Sequence, residues 1–278
     1  MTETTTSRIG TNRPVALVTG ASAGLGATFA RALARRGCDL VLVARRRERL
    51  ENLASELRDR FGVEAEPLPA DLTNDEELHR VEDYLRENRV SCLVNNAGFG
   101  NMPRFHEGDV AAQEAMIRLH VLAIARLTHA ALPGMMRRGE GDVINVSSVA
   151  AFIQGGSGIL YCATKAWINS FTEGIHLLAS DKGVRLQALC PGFTITEFHD
   201  VMGMDRGAVP RNWWMKAEDV VAASLKGLDR GKLFVIPGMR YKLMVLLIKL
   251  MPRSLRHFLT RRHERREAEE AATAEGES

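Results

Sequence analysis

Tyr161 and Lys165 stand at i and i+4 in Tyr161-Cys162-Ala163-Thr164-Lys165. On a helix this spacing puts both side chains on one face. An ammonium beside a phenol stabilises the phenolate, so the tyrosine pKa is expected to fall toward working pH. A phenol tuned in this way passes a proton to a carbonyl oxygen. Ser148 precedes Tyr161 at the end of an apolar run, where its hydroxyl can reach the same oxygen. Taken alone, the pair reads equally as an exposed helical Tyr–Lys contact.

A second cluster is suited to phosphate. The run Thr19-Gly20-Ala21-Ser22-Ala23-Gly24-Leu25-Gly26 follows a short apolar stretch and precedes a helical pattern. Gly20, Gly24 and Gly26 let the backbone turn tightly and let a pyrophosphate approach the helix N-terminus, with Ser22 and Leu25 beside it. The plain alternative is a tight strand-to-helix turn without a ligand. The next apolar run ends in Ala44-Arg45-Arg46-Arg47, so Arg45 falls at the end of the second strand of a βαβ unit. A dinucleotide site selective for NAD places an acid there for the ribose 2′-hydroxyl. Arginine favours a 2′-phosphate, so Arg45, supported by Arg46, points to NADP(H).

The elements that must position these residues follow from periodicity. Val15–Thr19, Leu40–Ala44, Cys92–Asn95, Val143–Ser147 and Val184–Cys190 read as short buried strands, with Glu64–Pro69 as a weaker strand near an edge. Helical patterns fall near 25–36, 47–60, 74–88, 110–137 and 160–181. Strand–helix alternation implies an α/β fold, a parallel sheet with helices on both faces.

These motifs, in this order, resemble those of the short-chain dehydrogenase/reductase family. They are TGASAGLG at 19–26, DL at 71–72, NNAG at 95–98, Ser148 ahead of YCATK at 161–165, and PGFTIT at 191–196. The resemblance covers residues 13–239 and implies a single Rossmann-type, doubly wound sheet. It implies that Tyr161 is the general acid/base, that Lys165 lowers its pKa and holds the nicotinamide ribose, and that Ser148 orients the substrate carbonyl. It further implies that Asp71 and Leu72 flank the adenine, that Asn96 and Ala97 line the cofactor channel, and that Thr194 and Thr196 meet the nicotinamide end. Asn95 reads as a structural tie between strands. The family's usual asparagine in the helix after NNAG is replaced by His120. Its neutral imidazole either carries the same proton-relay water or is a core histidine that breaks the relay.

The 278-residue chain is 45% hydrophobic and 26% charged, which excludes disorder throughout, collagen and coiled coil. Cys38, Cys92, Cys162 and Cys190 are scattered, and His106, His129, His176 and His199 lack ligand spacing, so neither a disulfide framework nor a metal site is expected. The opening stretch MTETTTSRIGTNRP lacks an apolar core, so no secretory leader is expected and the cytoplasm is the expected compartment. Cys162 reads as buried filler. Residues 193–216 read as a loop over the active site. Its Phe198, Met202, Met204, Trp213 and Trp214 suit either a hydrophobic ligand or packing against the body.

The net charge of +3 is uneven: residues 240–262 hold seven Lys or Arg and no acid, leaving −4 for the rest. That segment reads as a basic amphipathic helical extension broken at Pro252, either docked on a membrane surface at the inner face or packed on protein. Residues 263–278 have almost no apolar bulk and are expected to be disordered. No nucleic-acid partner is expected from a mildly acidic body. A homo-oligomer, dimer or tetramer, is expected. The leading function is NADPH-linked interconversion of a small-molecule carbonyl and alcohol. The alternatives are a cofactor-binding regulatory protein without turnover and a membrane-docked interaction protein.

Overall fold

The computed structural model describes residues 12–100, 104–153, 158–198, 207, 209–258 and 260–262. The tail at 263–278 and the loop methionines Met202 and Met204 lie outside the described residues, as does His199. The strands are β1 (Val15–Thr19), β2 (Asp39–Ala44), β3 (Ala65–Pro69), β4 (Cys92–Asn95), β5 (Gly141–Val146), β6 (Val184–Leu189), β7 (Thr194–Ile195), β8 (Met215–Lys216) and β9 (Phe234–Val235). Seven form one parallel sheet in the order β3-β2-β1-β4-β5-β6-β9, and β7 pairs with β8 apart from it. The weak strand β3 is at the edge, where Pro67 and Pro69 interrupt no inner ladder.

The helices are α1 (Gly24–Arg35), α2 (Arg47–Phe61), α3 (Asp75–Glu87), α4 (Val110–Ile117), α5 (Ile124–Arg138), α6 (Ile159–Ala179), α7 (Ala217–Asp229) and α8 (Met239–Leu250). A π-helical turn, Arg118–Ala123, joins α4 to α5. Alternate residues of each strand feed opposite faces of the sheet. Ala16, Val18, Leu40 and Leu42 meet Phe29, Leu50, Leu57 and Val220 on one side. Leu17, Val41, Val43 and Leu93 meet Leu78, Val81, Leu127 and Met135 on the other. The doubly wound sheet puts the crevice for a ligand at the carboxyl ends of β1 and β4, where the strand order reverses.

One buried charge ties the second layer together. Glu82 of α3 is 3% exposed and accepts from Arg126 of α5, from Arg86 (3.1 Å) and from His79 (3.1 Å). Burial alone pushes a carboxyl up, but the hydrogen bonds from Arg126 and His79 outweigh it and hold Glu82 down at about 2. A depressed carboxylate stabilises the fold above its unfolded pKa, and that contribution is lost as pH falls through about 2. Glu82→Gln is therefore expected to lower neutral-pH stability by roughly 2 kcal/mol, a figure reduced because Arg126 is partly solvated. Denaturant titrations of both chains between neutral and acid pH check this, because the gap should close in acid.

Candidate active site

The carboxyl end of every inner strand delivers a predicted residue. After β1 the chain turns at Gly20 (φ +64°) and Gly24 (φ +54°), both in the left-handed region that favours glycine. A Cβ on Gly26 would collide with the Gly20 carbonyl, and one on Gly24 would lie 3.2 Å from Thr196 Cβ. The turn is thus pressed between NNAG and the loop after β6. The N-terminus of α1 has no side-chain cap and no acid in its first turn. By contrast, α3 is capped by Asn74 and opens with three acids. Uncapped N–H groups without nearby negative charge suit a phosphate, so this turn fits the pyrophosphate of a dinucleotide.

Thr19, unremarked as a positioning residue in the sequence, holds this half of the site together. Its hydroxyl oxygen accepts from the N–H groups of Asn96 (2.9 Å) and Ala97 (3.0 Å), and Asn96 Nδ2 donates to the Thr19 carbonyl (2.9 Å). Leu72 is buried, while Asp71 Oδ1 accepts from the amide (2.9 Å) and hydroxyl (2.7 Å) of Thr73. Asn95 Nδ2 donates to Asn145 Oδ1 (2.8 Å) and Thr128 Oγ1 (3.2 Å), which laces β4 to β5 and α5.

Arg45 and Arg46 are exposed at the end of β2. Arg46 donates to Ser22 Oγ from Nε (3.2 Å) and Nη2 (3.0 Å), so one arginine and the serine of the turn sit side by side. Glu197, on the loop after β7, pairs with Arg46 (3.3 Å) and Arg49 (2.8 Å).

Ser148 follows β5 and caps a short 3-10 turn, its Oγ accepting from the Ala150 amide (3.1 Å). Tyr161 and Lys165, on the first turns of α6, are 8% and 6% exposed. Ser148 acts on the Tyr161 phenol to lower its pKa. Lys165 Nζ lies 5.6 Å from the Tyr161 ring centroid and donates to the Val146 carbonyl (3.0 Å). The geometry corrects one expectation. Burial pushes Tyr161 up to about 12, outweighing the opposing effect of Ser148. Burial also draws Lys165 down to about 8. Cys162, expected to be buried, is half-buried, and desolvation raises its thiol pKa.

His120 sits in the π-helical turn, fully buried. Thr164 spends its hydroxyl proton on the Tyr161 carbonyl (2.9 Å), so His120 Nδ1–H donates to Thr164 Oγ1 (3.1 Å). Nε2 then accepts from the Phe99 amide (3.3 Å). Burial, then the Lys165 charge, hold its pKa well below 6.5, so the ring is neutral. Gly98 makes room for it, since a Cβ there would lie 2.7 Å from Nε2.

The loop residues divide. Phe198 places its ring 6.2 Å from that of Tyr161. Trp213 and Trp214 pack on Tyr241 (5.3 Å) and Phe193 (5.5 Å) instead. Thr194 is buried with its hydroxyl donating to the Gly192 carbonyl (3.0 Å), and Thr196 lies over Gly24.

A seven-stranded parallel sheet with a glycine turn at the switch point defines a Rossmann-type fold. A family profile described as short chain dehydrogenase matches residues 14–206, and the chain belongs to that family. It is similar to the short-chain dehydrogenase from Sphingobium yanoikuyae solved in complex with NADPH, at 38% identity and TM-score 0.79 over 86% of this chain and 96% of that one. It is also similar to the bulky-bulky ketone specific alcohol dehydrogenase from Comamonas testosteroni, at 33% identity and TM-score 0.76 over 87% and 96%. A curated relative, the very-long-chain 3-oxoacyl-CoA reductase of Anas platyrhynchos, is 31% identical over 191 residues, 67% of this chain. The match spans 61% of that relative's length.

Proposed function

We propose that the chain reduces a hydrophobic ketone, aldehyde or 3-oxoacyl compound to the alcohol with NADPH. The observation that carries this reading is the convergence of Ser148, Tyr161 and Lys165 beside the uncapped glycine turn. NADPH, when bound, supplies the hydride. Gly20, Ser22, Gly24, Leu25 and Gly26 hold its pyrophosphate, and Arg45 and Arg46 hold its 2′-phosphate. Asp71 and Leu72 flank the adenine, Asn96 and Ala97 line the channel, and Thr194 and Thr196 meet the nicotinamide end. Lys165 holds the nicotinamide ribose.

Ser148 and Tyr161 donate to the substrate oxygen. As negative charge builds there, Tyr161 releases its proton to that oxygen, since an alkoxide is a far stronger base than a phenolate. The buried Lys165 ammonium stabilises the phenolate left behind. A phenol held near 12 is protonated at neutral pH, the form that can donate to the substrate oxygen. The relatives' names, a 3-oxoacyl-CoA reductase and a ketone-specific dehydrogenase, support a carbonyl substrate of apolar bulk, and Phe198 supports an apolar contact beside Tyr161. Four free cysteines support the cytoplasm. Exposed Leu177 and Leu178 on α6 support a homo-oligomer.

His120 belongs to this apparatus as a positioning residue. With both ring nitrogens engaged, it fastens the loop after β4 to Thr164, the neighbour of Lys165 in sequence. His120→Asn, which keeps a donor and an acceptor, is expected to retain most activity, whereas His120→Leu loses most of it. Comparing kcat and KM with NADPH affinity in both variants checks this. Equal activity in the two would remove position 120 from the site.

The function itself is tested by NADPH consumption against a panel of bulky ketones, aldehydes and 3-oxoacyl thioesters. Turnover is expected on at least one apolar class, and none on any class would overturn the reading.

A further inference from the structure

Helix α8 turns Tyr241 and Val245 inward, 3% and 2% exposed. Met239, Leu243, Leu246, Leu247 and Leu250 recur at helical i+3 and i+4 spacing and so share another face. They are 75, 56, 52, 54 and 72% exposed. The chain breaks at Pro252 and resumes as a helix at 253–258, as its position in the sequence foreshadowed, adding exposed Leu255 and Phe258. Seven of the sixteen exposed large hydrophobics among the described residues fall in this segment.

Charge decides what covers the stripe. At about 100° per residue, Lys242 and Lys249 flank it on one edge and Arg240 on the other. Lys242 is exposed, while Lys249 lies over the Phe152 ring (5.0 Å) and Arg240 also donates to the Asn212 carbonyl (2.6 Å). Arg253, Arg261 and Arg262 are exposed beyond it, and no acid occurs from 240 to 262. A second copy on this face would bring two wholly cationic rims together. An anionic lipid surface meets both needs: its headgroups take the Lys and Arg, and its acyl boundary takes the Leu and Met. At 12 residues α8 is too short to cross a bilayer, which needs about 20, but long enough to lie in its surface.

The stripe is fastened to the active-site loop. The Tyr241 hydroxyl accepts from the Phe193 amide (2.9 Å) and donates to the Trp213 carbonyl (2.6 Å). Its ring fills the space above Gly192, where any Cβ would collide with it. We propose that α8 lays the protein on anionic lipid, with the loop that carries Phe198 held beside the lipid surface through Tyr241.

The test uses the full chain and vesicles of phosphatidylcholine with and without phosphatidylglycerol. Truncation at Gly238 would also strip Tyr241 from the loop, so exposed positions are substituted instead: Leu243→Glu with Leu247→Glu, and separately Lys242→Glu with Arg253→Glu. Wild type is expected to sediment with the anionic vesicles at low salt. Binding should weaken about tenfold or more at high salt, where screening shortens to a few ångströms. Both double variants should lose most binding while keeping the wild-type melting temperature and NADPH affinity. Failure of wild type to bind anionic vesicles at low salt would overturn the proposal, as would undiminished binding by the leucine variant. Sedimentation velocity on the same proteins covers the remaining case. A leucine variant of smaller mass than a wild type that ignores vesicles would make the stripe an interface between copies and equally overturn it. The catalytic reading is untouched by any of these results.

Discussion

Tyr161→Phe is expected to keep the fold and NADPH binding while turnover falls by about 10²–10⁴-fold, because it deletes the proton and keeps the ring. The pH dependence follows from the same two side chains. Tyr161, held near 12, stays protonated across the working range. Lys165, drawn down to about 8, loses its charge as pH rises through that value, and with it the stabilisation of phenolate. The reduction rate should therefore hold level to about pH 8 and decline above it. Lys165→Met should be slow throughout and lack that step. Initial rates of the wild type and both variants across neutral and alkaline pH check this. Near-normal turnover by Tyr161→Phe would remove the proton donor from the mechanism.

Cofactor choice carries the second large effect. Arg45→Asp should shift preference from NADPH toward NADH by roughly 10²-fold, since a charge-assisted contact to the 2′-phosphate is lost and a repulsive carboxylate gained. Arg46 contributes beside Ser22, and Glu197 competes for it. Glu197→Gln should consequently raise NADPH affinity by about two- to fivefold, the modest change expected of an exposed ion pair. Dissociation constants for both cofactors in all three chains decide the matter. A wild type that binds NADH as tightly as NADPH would contradict the role given to the arginines.

The sheet was legible because its strands are short, continuous apolar runs bounded by turn residues, as buried parallel strands must be. Each of the six expected runs became a strand within a few residues. The three two-residue strands β7, β8 and β9 carry no periodicity to read. Helix α7 was missed because its buried face relies on Ala217, Ser224 and Gly227 as well as valine and leucine. Side-chain types and spacing put Ser148, Tyr161 and Lys165 in one candidate cluster, and the fold brings them near one another. Types and spacing could not give the direction of the Tyr161 shift, which depends on how deeply the phenol is buried. His120 is similar: its position was legible, but its partners Thr164 and Phe99 come from two other segments. Thr19 and Tyr241 escaped notice because each works through backbone groups distant in sequence.

The central claim is that this site transfers a hydride and a proton to a carbonyl, and product stoichiometry tests it most directly. The full chain is mixed with NADPH and, in parallel, a bulky ketone or a long-chain 3-oxoacyl thioester, and both NADPH loss and alcohol formation are followed. The account predicts one alcohol formed per NADPH consumed on at least one of the two, with both signals suppressed together in Tyr161→Phe. NADPH that binds tightly yet yields no alcohol from either substrate would contradict it and leave a cofactor-binding protein without turnover.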